Sequence, residues 1–248
     1  MNVAAQPQPP QKRLELIRQE MAKAQLDAYI IPRADEYLGE YVPVQNERLA
    51  WISGFTGSAG MIIVLKDRAA IFVDGRYTIQ VRQQVSESCF EYHHLVEEPP
   101  VGWLADNLSK SARVGIDSRM HTFAWYQATQ ESLGKKNIEL VEMEENPIDL
   151  HWQGRPQPAQ QLAMLLDQKY TGASSEQKRQ QLGLAIEKAR ADIALISQLD
   201  SIAWLLNIRG GDVPRLPVIL SFATLDSKGK LVLYTDPRKL PNDFSEHV

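Results

Sequence analysis

The segment Gly54-Phe55-Thr56-Gly57-Ser58-Ala59-Gly60 is the densest run of residues suited to approach a ligand closely. A phosphate cradle needs a strand before the loop and a helix N-terminus after it, so that free N–H groups face the anion. Here a helical pattern precedes and a strand pattern follows, and no Lys-Ser/Thr pair is present. Ser58 as a nucleophile would need glycine two residues earlier, where Thr56 stands. The loop reads first as a tight connection into a strand, with glycine supplying positive φ. The functional alternative is a loop lining a substrate path, with Phe55 and Ser58 as its candidate contacts.

Two arginines could bind carboxylates through paired N–H donors. Arg76 lies in Asp74-Gly75-Arg76-Tyr77 and Arg209 in Asn207-Ile208-Arg209-Gly210. The simpler role for each is a structural ion pair. The sharper one is contact with a peptide carboxylate or another domain, and Tyr77 joins Arg76 as a candidate. Metal chemistry has no support in the spacing. His93, His94, His121, His151 and His247 form neither a His-Glu-x-x-His nor any pairing with the single Cys89. Glu97-Glu98 and Glu142 to Glu145 read as solvated acidic faces. Hydrolysis needs an activated water and a group to activate it, so neither catalytic nor metal-binding residues are expected.

The elements that carry these residues alternate. Leu14, Ile17, Met21 and Ala24 recur at helical spacing, ending near Gln25. Ala28 to Ile31 is a buried strand closed by Pro32. A helix around Glu47 to Ile52 follows. Met61 to Leu65 and Ala69 to Val73 form a strand pair about Lys66-Asp67-Arg68, and a helix runs from Tyr77 to Gln84. Phe90 to Leu95, Arg113 to Ile116 and Ile138 to Val141 are further strands, with a helix from Thr122 to Gly134 between the last two. This is an α/β layer pattern. Residues 12–150 form a first domain and 151–160, with Gly154, Pro156 and Pro158, a linker. Ser174 and Gln177 then make a capping box that opens a new helix in a second domain, 161–248.

That second domain repeats the first. Leu26-Asp27-Ala28-Tyr29-Ile30-Ile31 parallels Ala191-Asp192-Ile193-Ala194-Leu195-Ile196, and Arg48-Leu49-Ala50-Trp51-Ile52 parallels Ser201-Ile202-Ala203-Trp204-Leu205. Ala70 to Arg76 parallels Leu231 to Arg238 with one residue inserted. Both tryptophans are expected to be largely buried anchors. The second copy stops twelve residues after Asp236, whereas strands and helices continue long after Asp74. It is therefore expected to lack strands that would complete its sheet, leaving an edge uncovered.

Composition limits the partners. The 248 residues are 44% hydrophobic and carry a formal net charge of −4. A nucleic-acid surface is not expected, and no apolar run approaches the ~20 residues that span a bilayer. Residues 1–11 read as a disordered lead-in without a signal peptide, and a lone cysteine fits a reducing, cytoplasmic compartment.

A resemblance gathers these signals. Tyr29-Ile30-Ile31-Pro32, Ser53-Gly54-Phe55, Gly57-Ser58-Ala59-Gly60 and Asp74-Gly75-Arg76-Tyr77 resemble the first domain of cytosolic-type aminopeptidase P. So do Arg113 to Asp117, Asn146 to Trp152 with Arg155-Pro156, and Tyr170-Thr171-Gly172. Leu199 to Gly210, Asp212-Val213 and Pro217-Val218 resemble the second domain. The resemblance implies two related creatinase-N-terminal-like domains, each a mixed sheet flanked by helices, with the second incomplete. It also implies a catalytic pita-bread domain beyond Val248 that holds two divalent metal ions, typically manganese, and removes an N-terminal residue preceding proline. Its partners would be peptides with proline second, its own catalytic domain and, in one reading, a second copy. The alternatives are a stand-alone, non-enzymatic peptide- or partner-binding protein, and a nucleotide-binding α/β protein that the loop order disfavours.

Overall fold

Pro10 opens the first helix because its missing N–H falls where no intrahelical acceptor exists. The computed structural model describes residues 8–248. Helix α1, Pro10–Lys23, buries Leu14, Ile17 and Met21. Residues 10 and 11, expected in a disordered lead-in, are thus helical, while positions 1–7 lie outside the described residues. Then come β1 (Ala28–Pro32), α2 (Arg48–Ser53), β2 (Met61–Leu65), β3 (Ala69–Val73), α3 (Thr78–Gln84) and β4 (Glu91–His94). They are followed by α4 (Pro100–Asn107), β5 (Arg113–Ile116), α5 (Phe123–Gly134), β6 (Glu139–Glu142) and α6 (Pro147–His151).

These form a first unit, comprising the described residues up to 38 and residues 45–156, around a six-stranded sheet of order β4-β3-β2-β1-β5-β6. The β1–β2–β3 meander is antiparallel, with Ile30 opposite Ile63 and Ile63 opposite Ala70. β4 joins β3 in parallel, β5 joins β1 in parallel, and β6 joins β5 likewise. Parallel additions need long crossovers, and the helices supply them. One face packs under α1, α2 and α6, with Tyr29, Ile31, Ile62 and Ile71 in its core. The other packs under α4 and α5 through Ile30, Ile63, Phe72, Leu104 and Leu133.

Helix α6 stands where the sequence reading ended the domain and began a linker. Asn146 caps it by accepting from the Ile148 N–H, and Pro147 occupies its first turn. Trp152 stacks on Trp51 with centroids 5.9 Å apart, and Arg155 donates to the Gln45 carbonyl at 2.6 Å. Residues 151–155 are therefore anchored to the first unit.

The second unit comprises 39–44 and 157–248. It holds β7 (Met164–Leu165), α7 (Gln168–Thr171), α8 (Ser175–Lys188), β8 (Ile193–Ile196), α9 (Leu199–Leu206), β9 (Ile208–Arg209), β10 (Phe222–Asp226), β11 (Leu231–Tyr234) and α10 (Phe244–His247). The capping box of Ser174 and Gln177 is formed as expected. β11-β10-β8 is an antiparallel sheet, and β7 pairs with β9. Helix, strand, helix and meander recur in the first unit's order. Even the residue between helix and strand repeats its positive φ, 56° at Gln25 and 57° at Arg190.

Strand register corrects one detail of the repeat. Leu195 opposite Thr224 and Thr224 opposite Val232 match Ile30 opposite Ile63 and Ile63 opposite Ala70. Ala70 thus corresponds to Val232, Phe72 to Tyr234 and Arg76 to Arg238, with no insertion. Trp204 departs from expectation too: its side chain is half exposed, whereas Trp51 packs against the first core.

Candidate functional site

Helix α2 ends because Gly54 takes a left-handed conformation, φ 85°, where a side chain would be strained. Ser53 Oγ donates to the Leu49 carbonyl at 2.7 Å and accepts from the Phe55 N–H at 3.1 Å. These bonds turn the chain inward, and Phe55 is 1% exposed. Its ring lies against the backbone of Gly57, where an added Cβ would stand 2.2 Å from Cζ. Glycine is needed there for close approach.

Ser58 follows and shares a 2.6 Å hydrogen bond with the Tyr77 hydroxyl. That bond holds the Tyr77 phenol below its usual range. The Tyr77 ring meets Phe55 edge-on, centroids 5.6 Å apart, and the Arg76 guanidinium lies 5.2 Å from the Tyr77 ring centre. Arg76 also forks onto Asp74, Nε to Oδ1 at 3.1 Å and Nη2 to Oδ2 at 2.6 Å. This interaction keeps the Asp74 carboxyl low in its range.

Four of the five candidates, Phe55, Ser58, Arg76 and Tyr77, therefore form one contiguous group in the first unit. Arg209 is in the second unit, on β9, where its Nη1 donates to the Ile208 carbonyl at 2.8 Å and the Ala203 carbonyl at 3.4 Å. Two neighbours escaped the sequence reading. Gln84 accepts from the Thr56 N–H at 2.9 Å and donates to Thr56 Oγ1 at 2.9 Å, and Gln80 donates to the same oxygen at 3.2 Å. The Gln80/Gln84 spacing, one helical turn on α3, was the available signal.

The group presents a guanidinium, two hydroxyls and an amide network around a buried ring. Asp74 offsets the arginine charge, and the Ser58 hydroxyl is engaged by the Tyr77 hydroxyl. Such a surface can bind and orient polar chains. A second polar cluster is structural: Arg48 is 4% exposed and donates to both Asp149 oxygens at 2.8 Å. Among the described residues, no group of three or more His, Cys, Asp or Glu side chains is placed to hold a metal ion. The described residues do not fit a dinuclear centre.

The creatinase/prolidase N-terminal domain profile matches residues 13–149, and a second profile of the same description matches residues 154–248. The chain belongs to this family. Both units are creatinase N-terminal-like domains of mixed α/β architecture. Aminopeptidase P1 of Lotus japonicus is 36% identical over 225 residues, covering 90% of this chain and 34% of its own length. Xaa-Pro aminopeptidase 1 of Dictyostelium discoideum is 34% identical over 239 residues, covering 92% of this chain and 38% of its own. The chain spans about a third of these relatives' length. The crystal structure of X-prolyl aminopeptidase from Caenorhabditis elegans, described as a cytosolic enzyme with a di-nuclear active site, superposes with a TM-score of 0.91. It is 26% identical and covers 97% of this chain and 41% of that one. Among the described residues, no helix is long and apolar enough to cross a membrane.

Proposed function

We propose that this creatinase-N family chain serves as the N-terminal, non-catalytic region of a cytoplasmic, metal-dependent Xaa-Pro aminopeptidase. The observation that carries the reading is the pair of domain matches along a chain one-third the length of relatives bearing that name. The hydrogen-bond donors and aromatic surface of the site support a binding role. Its role is to wall the substrate path of peptides with proline second, with Phe55 fixing the loop while Ser58, Arg76 and Tyr77 present polar groups; Arg209 is the second unit's candidate. Two divalent ions, for which we favour manganese, would activate the hydrolytic water from the catalytic domain.

The test separates the two parts of this reading. The 248-residue chain, assayed with excess manganese and an Xaa-Pro peptide, is expected to show no turnover. In the full-length protein, Arg76→Ala is expected to raise KM several-fold with kcat nearly unchanged, the signature of lost uniform binding. Turnover that co-purifies with the 248-residue chain would overturn the non-catalytic assignment. An unchanged KM in Arg76→Ala and Tyr77→Phe would overturn the channel assignment.

A further inference from the structure

Helix α9 ends as α2 does. Asn207 takes the left-handed conformation, φ 54°, at the position where Gly54 takes φ 85°. The residue that follows, Ile208 in one unit and Phe55 in the other, is fully buried. Gly57 and Gly210 then coincide in the repeat. An added Cβ would stand 2.2 Å from Phe55 Cζ at the first and 2.4 Å from Ile219 Cγ2 at the second. Each loop is also tied to the turn after the last meander strand. Ser58 meets Tyr77 at 2.6 Å, and Asp212 meets Lys239, the equivalent of Tyr77, at 2.6 Å. The second unit thus holds its own copy of the loop, with Arg209 in the place of Thr56.

That arginine is half-buried and only partly engaged. Its Nη1 donates to the Ile208 and Ala203 carbonyls, at 2.8 and 3.4 Å. Among the described residues nothing accepts from Nε and Nη2, the edge with which Arg48, Arg119 and Arg238 each grip a carboxylate. Asp212, the nearest acid along the chain, is already taken: Lys239 and the Leu220 N–H donate to its Oδ2, at 2.6 and 2.7 Å. A second cation serves the same helix end. Lys178 is buried and donates to the Trp204 carbonyl at 2.8 Å and to Asn207 Oδ1 at 2.5 Å. Burial, and after it the charge of Arg209, pushes the Lys178 ammonium below its usual range. These acceptors are all neutral, and the carbonyl end of a helix offsets only about half a charge. More than one positive charge is left to attract an anion.

We infer that Arg209 anchors a carboxylate site in the second unit, and that its ligand is the C-terminal carboxylate of a peptide ending in an apolar residue. Strand β7 supplies the reason for the apolar residue. Met164 stands directly opposite Arg209, on the same face of the two-stranded ribbon. Met164 is 63% exposed and Leu162, two residues earlier, 57%. A terminal carboxylate sits one bond from the Cα that bears its residue's side chain, so charge and apolar group arrive together. The carboxylate of an Asp or Glu side chain brings no such group. The choice of a peptide rests on the substrate-path role proposed for the chain, whereas the carboxylate specificity stands on the geometry of this unit. Asp212 and Lys239 are positioning residues that hold the loop in place.

The Arg209 Nε–H resonance of the 248-residue chain, assigned through its own backbone, reports occupancy without any turnover. N-acetyl-leucine, N-acetyl-leucinamide, acetate and N-acetylglutamic acid α-amide are titrated at constant ionic strength. N-acetyl-leucine is expected to shift the resonance saturably, and its amide to leave it unmoved. Acetate and the side-chain acid should bind roughly tenfold more weakly, for want of the apolar contact. In Arg209→Met, the Gly210 and Gly211 amides should stop responding. Met164→Ser should weaken N-acetyl-leucine but not acetate, and this exposed position keeps the test intact should Arg209→Met fail to fold. No response to N-acetyl-leucine, an equal response to its amide, or equal affinity for acetate or the side-chain acid would overturn the inference. An unchanged KM in full-length Arg76→Ala would instead overturn the substrate-path reading and leave a saturable, carboxylate-selective shift at Arg209 standing.

Discussion

Arg238 closes a two-pronged fork on the carboxylate of Asp236, with Nε 2.9 Å from Oδ1 and Nη2 2.5 Å from Oδ2. Its backbone N–H reaches the same carboxylate at 3.0 Å, so the Asp side chain caps the turn after β11. Arg76 and Asp74 make the same fork after β3, with the backbone bond at 2.9 Å. The device survives in both domains although residue 75 is glycine in one and residue 237 proline in the other. In each it is a structural clasp that also presents an arginine to solvent.

The clasp should be visible in acid titration. Arg238 depresses the Asp236 carboxyl to about 2. A depressed acid stabilises the fold above the unfolded carboxyl pKa of about 3.9 and loses that contribution as pH falls towards 2. A carbon-detected NMR titration should give a midpoint near 2 for Asp236 and, in Arg238→Ala, one raised towards ~3.9, short of it because the backbone N–H of residue 238 still donates. A midpoint unmoved by the substitution would mean the fork is not closed in solution.

Gly57→Ala should cost ~1–3 kcal/mol in the first domain, because the new Cβ would collide with the Phe55 ring. Relief requires the ring or the loop to shift, which breaks the Ser58–Tyr77 bond. Chemical denaturation measures the cost, and the Tyr77 phenol should return towards its ordinary pKa in the variant.

The paired tryptophans should respond unequally. Trp51→Ala removes a ring that stacks on Trp152 and carries the Arg13 guanidinium at 5.1 Å, and the expected loss is ~3–5 kcal/mol. Trp204 is half exposed, with Lys178 Nζ 4.4 Å from its ring centre, so Trp204→Ala in the 248-residue chain should cost ~1 kcal/mol. Equal costs in urea titrations would show that the second tryptophan is as well packed as the first.

His121 gives the first domain a pH response of opposite origin. Burial against Trp125, ring centroids 3.7 Å apart, lowers its pKa to about 4, outweighing the nearby Asp117. Between pH ~6.5 and 4 the unfolded chain binds a proton that the folded chain refuses, so stability falls as pH drops through that window and levels below it. His121→Phe should flatten the melting temperature across the same window. A slope identical to that of the unsubstituted chain would place the titration elsewhere.

The alternation of strand and helix in the first domain was legible because Ala28 to Ile31 and Met61 to Val73 are apolar runs bounded by turns. Two helices were not. α4 begins at Pro100, where proline suits a first helical turn but gives no apolar periodicity of its own. α6 hides behind the acidic run Glu142 to Glu145, yet Asn146-Pro147 is itself a cap followed by a favoured first residue. The link between Arg48 and Asp149 spans 101 positions and leaves no periodic trace. At the candidate site, the motifs Gly54 to Gly60 and Asp74 to Tyr77, apart in the chain, meet through the Ser58–Tyr77 hydrogen bond and the Phe55–Tyr77 ring contact. The edge-on contact of Phe55 with Tyr77 depends on a backbone fold that no spacing rule encodes.

The shared meander also sets an order of assembly. β1, β2 and β3 pair with near neighbours in the chain, whereas β5 must return to β1 with Ala28 opposite Val114. Closing such a loop costs entropy before any contact compensates it, and non-local pairings slow the search. The antiparallel core of each domain is thus the natural early folding unit, and the parallel strands are late arrivals. In the second domain the three-stranded sheet β11-β10-β8 is that early unit without parallel additions, so its refolding in a stopped-flow experiment should be the faster phase of the two.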